Sequence, residues 1–351
     1  MGTLQTVLGP IDDGQMGITM SHTHLTLDIR CWYRQLDSPV LRRLQEGKIT
    51  LQNLGWARHN YLLVKDNLVL DDLDLVAREV QDYRLGGGQT LVVVDLPGIG
   101  RDPQAMQKIA RGSGLNIVAS TGWYMQASHP AEIAGKSIQE LAELMIEEIT
   151  VGIGNTGVKA GNIGELAMSG AAHEPFQPGE EAVLRAAARA QGATGVSLTV
   201  HPNHPYDHWD TYIDILEREG ADLRKCYMAH LGFYTDIEVA KRLLRRGAGY
   251  VSFDNLGAEE TFWEVLRGPD DGYTKDRDEV RMVVALLEAG YADRILMSTE
   301  MATKLSYKRY GGYGWGYLFE TIIPWLRSLG ASEADIRQIT IENPRRLHSV
   351  G

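Results

Sequence analysis

Short apolar runs alternate with helical patterns along the whole chain, and this alternation limits the fold more than any other feature of the sequence. The apolar runs predict eight strands, which begin near residues 17, 90, 115, 152, 196, 226, 249 and 294. A segment with helical spacing follows each of them, and strands that alternate with helices favour a parallel sheet. Eight such units in 351 residues predict a (β/α)8 barrel.

A doubly wound open sheet is the alternative architecture. That fold would place a glycine-rich G-x-G-x-x-G turn after an early strand, and no such turn stands there. The chain also has no low-complexity segment and no long linker rich in proline or serine. We therefore expect residues 1–351 to form a single barrel domain.

Charge and cysteine content restrict the partners and the compartment of the protein. A formal net charge of -11 argues against nucleic-acid binding, which needs a basic surface. Cys31 and Cys226 provide no disulfide framework, so we expect a reducing compartment and a cytoplasmic protein. No apolar run approaches the roughly 20 residues of a membrane span, so no membrane partner is expected. A homodimer is the expected assembly, because it is the commonest one among soluble oligomers.

The first predicted strand runs directly into His22-Thr23-His24. Side chains alternate between the two sides of a strand, so His22 and His24 should point the same way, about 6–7 Å apart along the backbone. Two imidazoles on one face at the end of a strand can bind one metal ion. The alternative is that one histidine caps a turn while the other packs in a core.

In a (β/α)8 barrel, the carboxyl ends of the strands meet at one rim, where the chemistry takes place. The polar residues at the predicted strand ends are His22, His24, Lys159, His201, His230 and Glu300. Four buried histidines without partners would be costly, whereas around divalent ions they become ligands. There are enough ligands for two ions, and two ions lower the pKa of a bridging water toward about 7. Such a pair needs an anionic ligand, which a neutral lysine supplies when it reacts with CO2 to form a carbamate.

Nine stretches of the sequence resemble the phosphotriesterase family of the amidohydrolase superfamily: SHTHL, TGWYMQASHP, GVKAGNIGE, TVHP, MAHLGF, YVSFDNLG, ILMSTEMATK, GGYGWGYL and DIRQITIENPRRL. The resemblance runs nearly from end to end, and it implies a (β/α)8 barrel with two divalent metal ions. Zinc is the expected metal, with manganese, cobalt or iron as alternatives.

The resemblance also implies a role for each ligand. His22 and His24 would bind the more buried ion, and His201 and His230 the more exposed one. Carbamylated Lys159 would bridge the two ions, and Glu165 is the alternative bridge if the lysine is unmodified.

Glu300 departs from the pattern of this family, in which the last strand ends in an aspartate that binds the buried metal and shuttles the proton. Two outcomes are open. If the site is built around glutamate, Glu300→Asp loses activity. If it is an aspartate site that carries a substitution, Glu300→Asp gains activity. The resemblance of the other ligand settings favours a gain.

The resemblance implies a hydrolase in which a metal-bridging hydroxide attacks an ester-like centre and Glu300 takes the proton. A lactone or carboxylic ester is the expected substrate, with phosphotriester cleavage as a side activity. The alternatives are hydrolysis of an amide in an N-acyl compound and a non-catalytic barrel that retains the metals.

Four aromatic residues are candidates for substrate binding: Tyr124, Phe253, Tyr313 and Trp315. An aromatic wall suits a substrate with apolar bulk. Tyr124 is also expected to donate a hydrogen bond to the developing oxyanion. The alternative is that these loop aromatics pack against one another.

Overall fold

The structure, a computed structural model, describes residues 2–204, 206–234, 236–258 and 275–351. Its eight-stranded parallel sheet follows chain order, and each strand pairs with the next. The strands, numbered in chain order, are β1 (Ile18–Thr23), β2 (Gly88–Val93), β3 (Asn116–Thr121), β4 (Ala160–Ala167), β5 (Ser197–His201), β6 (Cys226–Met228), β7 (Tyr250–Phe253) and β8 (Ile295–Met297).

The sheet closes into a ring between β8 and β1. The backbone amide of His24 donates to the carbonyl oxygen of Glu300 at 3.1 Å, and the Thr23 hydroxyl donates to the same oxygen at 3.4 Å. These two bonds join the carboxyl ends of the first and last strands. The ring of parallel strands confirms the predicted (β/α)8 barrel.

Helices connect the strands and pack around the ring. The α-helices in the described part of the chain are Pro39–Glu46, Leu54–His59, Leu73–Leu85, Pro103–Ser113, Ile138–Thr150, Pro178–Thr194, Trp209–Arg218, Ile237–Arg246, Asp276–Glu288, Ile323–Ser328, Glu333–Arg337 and Asn343–His348. π-Helical turns at Leu318–Ile322 and Gln338–Glu342 run into two of these helices. Within the described ranges, no helix has the length and apolar character needed to cross a membrane.

The helix Ile138–Thr150 shows how local sequence determines these elements. Ser137 and Glu140 form a capping box that satisfies free amides at the first turn. Leu141, Ala142 and Met145 are buried, and their helical spacing places them on the face that packs on the barrel.

The amino end of the barrel is covered by a hairpin of two short strands, Thr3–Thr6 and Gly9–Asp12. The backbone amide of Val7, in the turn between these strands, donates to the carbonyl of Ile117 in β3 at 2.8 Å. A functional site is therefore expected at the opposite, carboxyl end of the strands.

The fourth strand differs from the sequence prediction, because it begins at Ala160 and not near residue 152. Residues 151–159 form a loop that folds back on itself, and the Ile153 amide donates to the Val158 carbonyl at 2.7 Å. Gly152 and Gly157 have positive φ angles of 150° and 73°, which interrupt an extended chain. As a result, Lys159 precedes β4, and Glu165 lies toward its carboxyl end.

Candidate metal centre

A buried carboxylate, Glu165, lies at the centre of four histidines at the carboxyl end of the barrel. Its Oε2 atom is 2.8 Å from Nδ1 of His201 and 3.3 Å from Nε2 of His230. The same oxygen is 3.4 Å from Nε2 of His22, and Oε1 is 3.4 Å from Nε2 of His24. Glu165 therefore contacts every histidine that the sequence placed at the rim.

The strands bring the histidines together as their positions in sequence predict. The rings of His22 and His24 face the same side of β1, with centroids 6.0 Å apart. His201 ends β5 and His230 follows β6, and their ring centroids lie 4.4 Å apart. The centroid of His22 is 4.8 Å from that of His230, so the two pairs form one continuous cluster.

Glu300 lies just beyond β8 and faces this cluster. Its Oε1 atom is 3.6 Å from Nε2 of His230 and 3.8 Å from Nε2 of both His22 and His24. Its Oε2 atom accepts a hydrogen bond from Nδ2 of Asn255 at 2.8 Å. One carboxylate oxygen of Glu300 is thus directed toward the histidines, while the other is held by a neighbouring loop.

Among the described residues, three groups of side chains could hold a metal ion, and the two that include Glu165 share that residue. The first set is His22, His24, Glu165 and Glu300, and the second is Glu165, His201 and His230. Within each set the ligand atoms all lie within 4.8 Å of one another. A carboxylate common to both sets fits two divalent ions with Glu165 between them.

Unpaired polar atoms support this fit. Both ring nitrogens of His22 are buried and make no hydrogen bond within the described part of the chain. A buried polar atom without a partner costs about 1–3 kcal/mol, so an isolated imidazole is a poor occupant of this position. A metal ion bound at Nε2 of His22 would satisfy it.

Two further carboxylates, Asp95 and Asp254, contact the Nδ1 atoms of His24 and His230 and orient these two rings. Asp95 Oδ1 lies 2.8 Å from Nδ1 of His24, and its Oδ2 accepts the backbone amide of Thr26 at 2.8 Å. Asp254 Oδ1 lies 2.8 Å from Nδ1 of His230. Each contact directs the Nε2 atom toward the centre of the cluster, as outer carboxylates do in histidine metal sites. Neither role was predicted from the sequence, although Asp95 and Asp254 are the last residues of the strand segments LVVVD and YVSFD.

The electrostatics of the site favour cations. Burial acts to lower the pKa of His24, but the Asp95 and Glu165 carboxylates outweigh it and hold that pKa well above its usual value. Burial likewise opposes the charge on His230, and Asp254 and Glu300 raise its pKa well above normal. A field that holds protons on buried imidazoles also attracts divalent ions, which replace those protons on binding.

The backbone is strained at one candidate ligand, His230, and directly after another, Glu300. Among the described residues other than glycine, a positive φ occurs at His230 (58°) and at Met301 (54°), which follows Glu300. Residues other than glycine adopt a positive φ at a cost in free energy, and residues with this strain cluster at functional sites.

Lys159 lies at the opposite end of β4 from the histidines. Asn162 of β4 pairs with Ser197, and Ala167 pairs with His201, which gives the direction of the strand. Six residues at about 3.3 Å each separate Lys159 from Glu165 by roughly 20 Å. The prediction that carbamylated Lys159 is the bridging ligand was therefore wrong, and Glu165, the alternative, occupies that place.

A pocket opens directly above the histidine cluster. Its wall is largely apolar and includes Leu62, Phe233, Leu256, Trp32, Tyr124 and Tyr313. Among the lining residues that the structure describes, there is no lysine or arginine. Tyr124 also accepts a hydrogen bond from Nε1 of Trp32 at 3.2 Å, and its ring packs edge-on against His201.

Two of the four predicted substrate-binding aromatics do not reach this pocket. Phe253 is 1% exposed and belongs to the core around β7. Trp315 is fully buried, donates from Nε1 to the Thr23 hydroxyl at 3.1 Å and packs against Tyr307. The predictions for Phe253 and Trp315 were wrong, because both residues pack against the barrel, as the alternative for loop aromatics anticipated.

Comparison with known proteins shows likeness over nearly the whole chain. Residues 2–348 match the Phosphotriesterase family. An N-acetyltaurine hydrolase from Xenopus tropicalis is 31% identical over 347 residues, covering 98% of this chain and 97% of that protein. A resiniferatoxin-binding protein from Rhodobacter sphaeroides has a TM-score of 0.92 at 33% identity and covers 99% of this chain and 95% of its own. A PTE-like lactonase mutant from Deinococcus radiodurans has a TM-score of 0.75 at 25% identity and covers 99% of this chain and 100% of its own.

Proposed function

The chain belongs to the phosphotriesterase family of the amidohydrolase superfamily, and from this we propose that it hydrolyses a carboxylic acyl bond in a neutral substrate with an apolar group. The observation that carries the proposal is the pair of ligand sets that share Glu165 at the base of an apolar pocket. Two divalent ions held there would supply a hydroxide at neutral pH and polarise the scissile group. Zinc is the first metal to test.

Two side chains at the pocket, Glu300 and Tyr124, support the proposal of acyl hydrolysis. The Oε1 atom of Glu300 faces the histidines and is accessible to the pocket, so this carboxylate can accept a proton and pass it to the leaving group. The hydroxyl of Tyr124 accepts a bond from Trp32 and keeps its own proton to donate to a developing oxyanion.

The pocket wall supports a neutral substrate. A carboxylate, sulfonate or phosphate group would need a cationic partner, and none is present among the described lining residues. Apolar side chains such as Leu62 and Leu256 suit an alkyl or aromatic substituent.

Two kinds of acyl bond have support. The relative named N-acetyltaurine hydrolase supports an amide, and its match covers nearly the whole chain. The structural likeness to a PTE-like lactonase supports a lactone or carboxylic ester, the bond that the sequence favoured. We place the amide first because the relative with that activity is the more similar in sequence, with the ester second and phosphotriester cleavage as a side activity.

Turnover of matched substrates tests this proposal. The panel should pair each neutral N-acyl amine with the ester of the same acyl group, and add lactones, an N-acyltaurine and a phosphotriester, all assayed with added zinc or manganese. We expect neutral acyl substrates to be cleaved faster than the anionic one. A zinc-loaded protein that cleaves no acyl substrate faster than its Glu165→Gln variant would favour the non-catalytic barrel.

A further inference from the structure

The side chain of Asn255 donates a hydrogen bond to a residue of the candidate metal centre. Its Nδ2 atom donates to Oε2 of Glu300 at 2.8 Å, and the residue is 2% exposed. The amide orientation follows from this contact, because the opposite orientation would place the Asn255 oxygen against a carboxylate. Asn255 also forms an isolated backbone bridge with Thr299, which connects its loop to the residue before Glu300.

The length of Glu300 gives this contact its importance. Glutamate has one more methylene than aspartate, which adds a rotatable bond and about 1.5 Å of reach. A free glutamate at the end of β8 would sample several rotamers, and ordering it would cost entropy. In the structure, Oε2 is held by Asn255 while Oε1 lies 3.6 Å from Nε2 of His230.

We propose that Asn255 is a positioning residue that adapts this barrel to a glutamate at position 300. By holding Oε2, Asn255 directs Oε1 to the histidine cluster, where this oxygen would bind metal and accept a proton. This inference rests on the proposed metal-dependent hydrolysis. Side chains that hold a ligand by hydrogen bonding typically change metal affinity or activity 10–100-fold when they are removed.

The second polar atom of Asn255 allows a selective variant. Its Oδ1 atom is buried and makes no hydrogen bond within the described residues. Asn255→Leu has nearly the same shape and therefore removes one hydrogen bond, the one to Glu300, without breaking another. Asn255→Ala is a second variant with a smaller side chain, for use if leucine does not fit.

Metal affinity measures the effect without any substrate. We expect competition for zinc with a chromophoric chelator to show about tenfold or more weaker binding in Asn255→Leu. In the Glu300→Asp background, the same change should alter zinc affinity less than twofold, because the shorter carboxylate does not reach Asn255. On the best substrate from the panel, Asn255→Leu should lower kcat more than it changes KM.

A control variant separates this effect from a loss of fold stability. Asn343 is another buried amide, and its Nδ2 atom donates to the carbonyls of Ala292 and Ile295 at 2.8 Å. Asn343→Ala should lower the free energy of unfolding and leave zinc affinity unchanged. Unchanged zinc affinity in both Asn255 variants, or equal losses in the parent and in the Glu300→Asp background, would overturn the inference. A chain that binds zinc as expected but cleaves no panel substrate would instead refute the proposed function alone.

Discussion

At the scale of single residues, the identity of residue 165 decides how the two ligand sets of the candidate metal centre are joined. Burial acts to raise the pKa of Glu165, but the charges of His22 and His201 outweigh it and hold that pKa well below its usual range. A carboxylate that stays ionised in a buried site is a suitable ligand for two cations. Lys159 has no access to this site from the other end of β4.

Substitution of these two residues distinguishes the roles. We expect Glu165→Gln to reduce bound zinc from two ions per chain to one or none, because a neutral amide is a weak ligand for two cations. Lys159→Ala should retain both ions and full activity. Elemental analysis and turnover of the same preparations provide the measurement. A Lys159→Ala protein that lost metal, or was rescued by a short carboxylic acid, would restore the lysine as the bridge.

Glu300→Asp is expected to lose activity, in contrast to the gain that the sequence favoured. The structure changes the expectation because Oε2 of Glu300 is already paired with Asn255, and Oε1 already faces three histidines. An aspartate would leave one of these contacts unmade, and a misplacement of about 1 Å can cost on the order of 10² in rate. The measurement is kcat/KM of both forms, each reloaded with the same metal. A clear gain in the aspartate form would show that Asn255 does not compensate for the longer side chain.

At the scale of elements, β4 contains the candidate ligand Glu165 and, directly before it, Gly164, whose backbone conformation allows Glu165 to take its position. Gly164 has a φ of 96°, and a Cβ atom there would lie 2.4 Å from the carbonyl oxygen of Thr199 in β5. The close approach of the two strands therefore requires glycine directly before Glu165. The apolar spacing of this segment indicates a strand, but it does not indicate this contact.

Gly164→Ala should destabilise the fold and weaken metal binding together. A non-glycine residue at such a φ costs about 1–3 kcal/mol, and the Cβ must in addition displace the backbone of β5. Gly87→Ala is the matched control, because Gly87 has a φ of 104° but open space around its Cβ position. Urea unfolding should show the larger loss for Gly164→Ala, and zinc affinity should fall in that variant alone. Equal losses in the two variants would mean that the strands can separate without strain.

At the scale of the whole molecule, the C-terminal helix joins opposite sides of the barrel through His348. Nδ1 of His348 lies 2.7 Å from the Ser197 hydroxyl of β5, and Nε2 lies 3.1 Å from the Ser21 hydroxyl of β1. Burial, and secondly the charge of Lys225, lower the pKa of His348 to about 3. The imidazole is therefore neutral in the folded protein near neutral pH.

Acidification should destabilise the protein through this residue. In the unfolded chain His348 takes up a proton near pH 6.5, whereas in the folded chain it does so near pH 3. Stability is therefore lost as the pH falls from 6.5 toward 3, by up to about 5 kcal/mol. Urea unfolding from pH 7 to pH 4 should have a smaller pH dependence in His348→Gln than in the parent. Parallel curves for the two proteins would indicate that His348 protonates without unfolding.

The sequence by itself determined the features that depend on local periodicity. Alternation along one strand was enough to place His22 and His24 on the same side, and the eightfold repeat of strand and helix was enough for the barrel. Once the barrel is known, His201, His230 and Glu300 must share a rim, because parallel strands end at the same edge. These inferences hold because each uses only the geometry of a single element and its direction.

The tertiary structure alone decided which residue, Lys159 or Glu165, lies between the histidines, and which side chains hold each ligand in place. Lys159 and Glu165 lie in the same segment of the sequence. The loop before β4 leaves Lys159 ahead of the strand, and the pairing of β4 with β5 places Glu165 at the end of the strand near His201. The contact between Asn255 and Glu300 joins the ends of two neighbouring strands, so no local pattern reports it. Periodicity gives the face of an element on which a side chain lies. The convergence of side chains from distant strands depends on their relative register, which only the closed ring establishes.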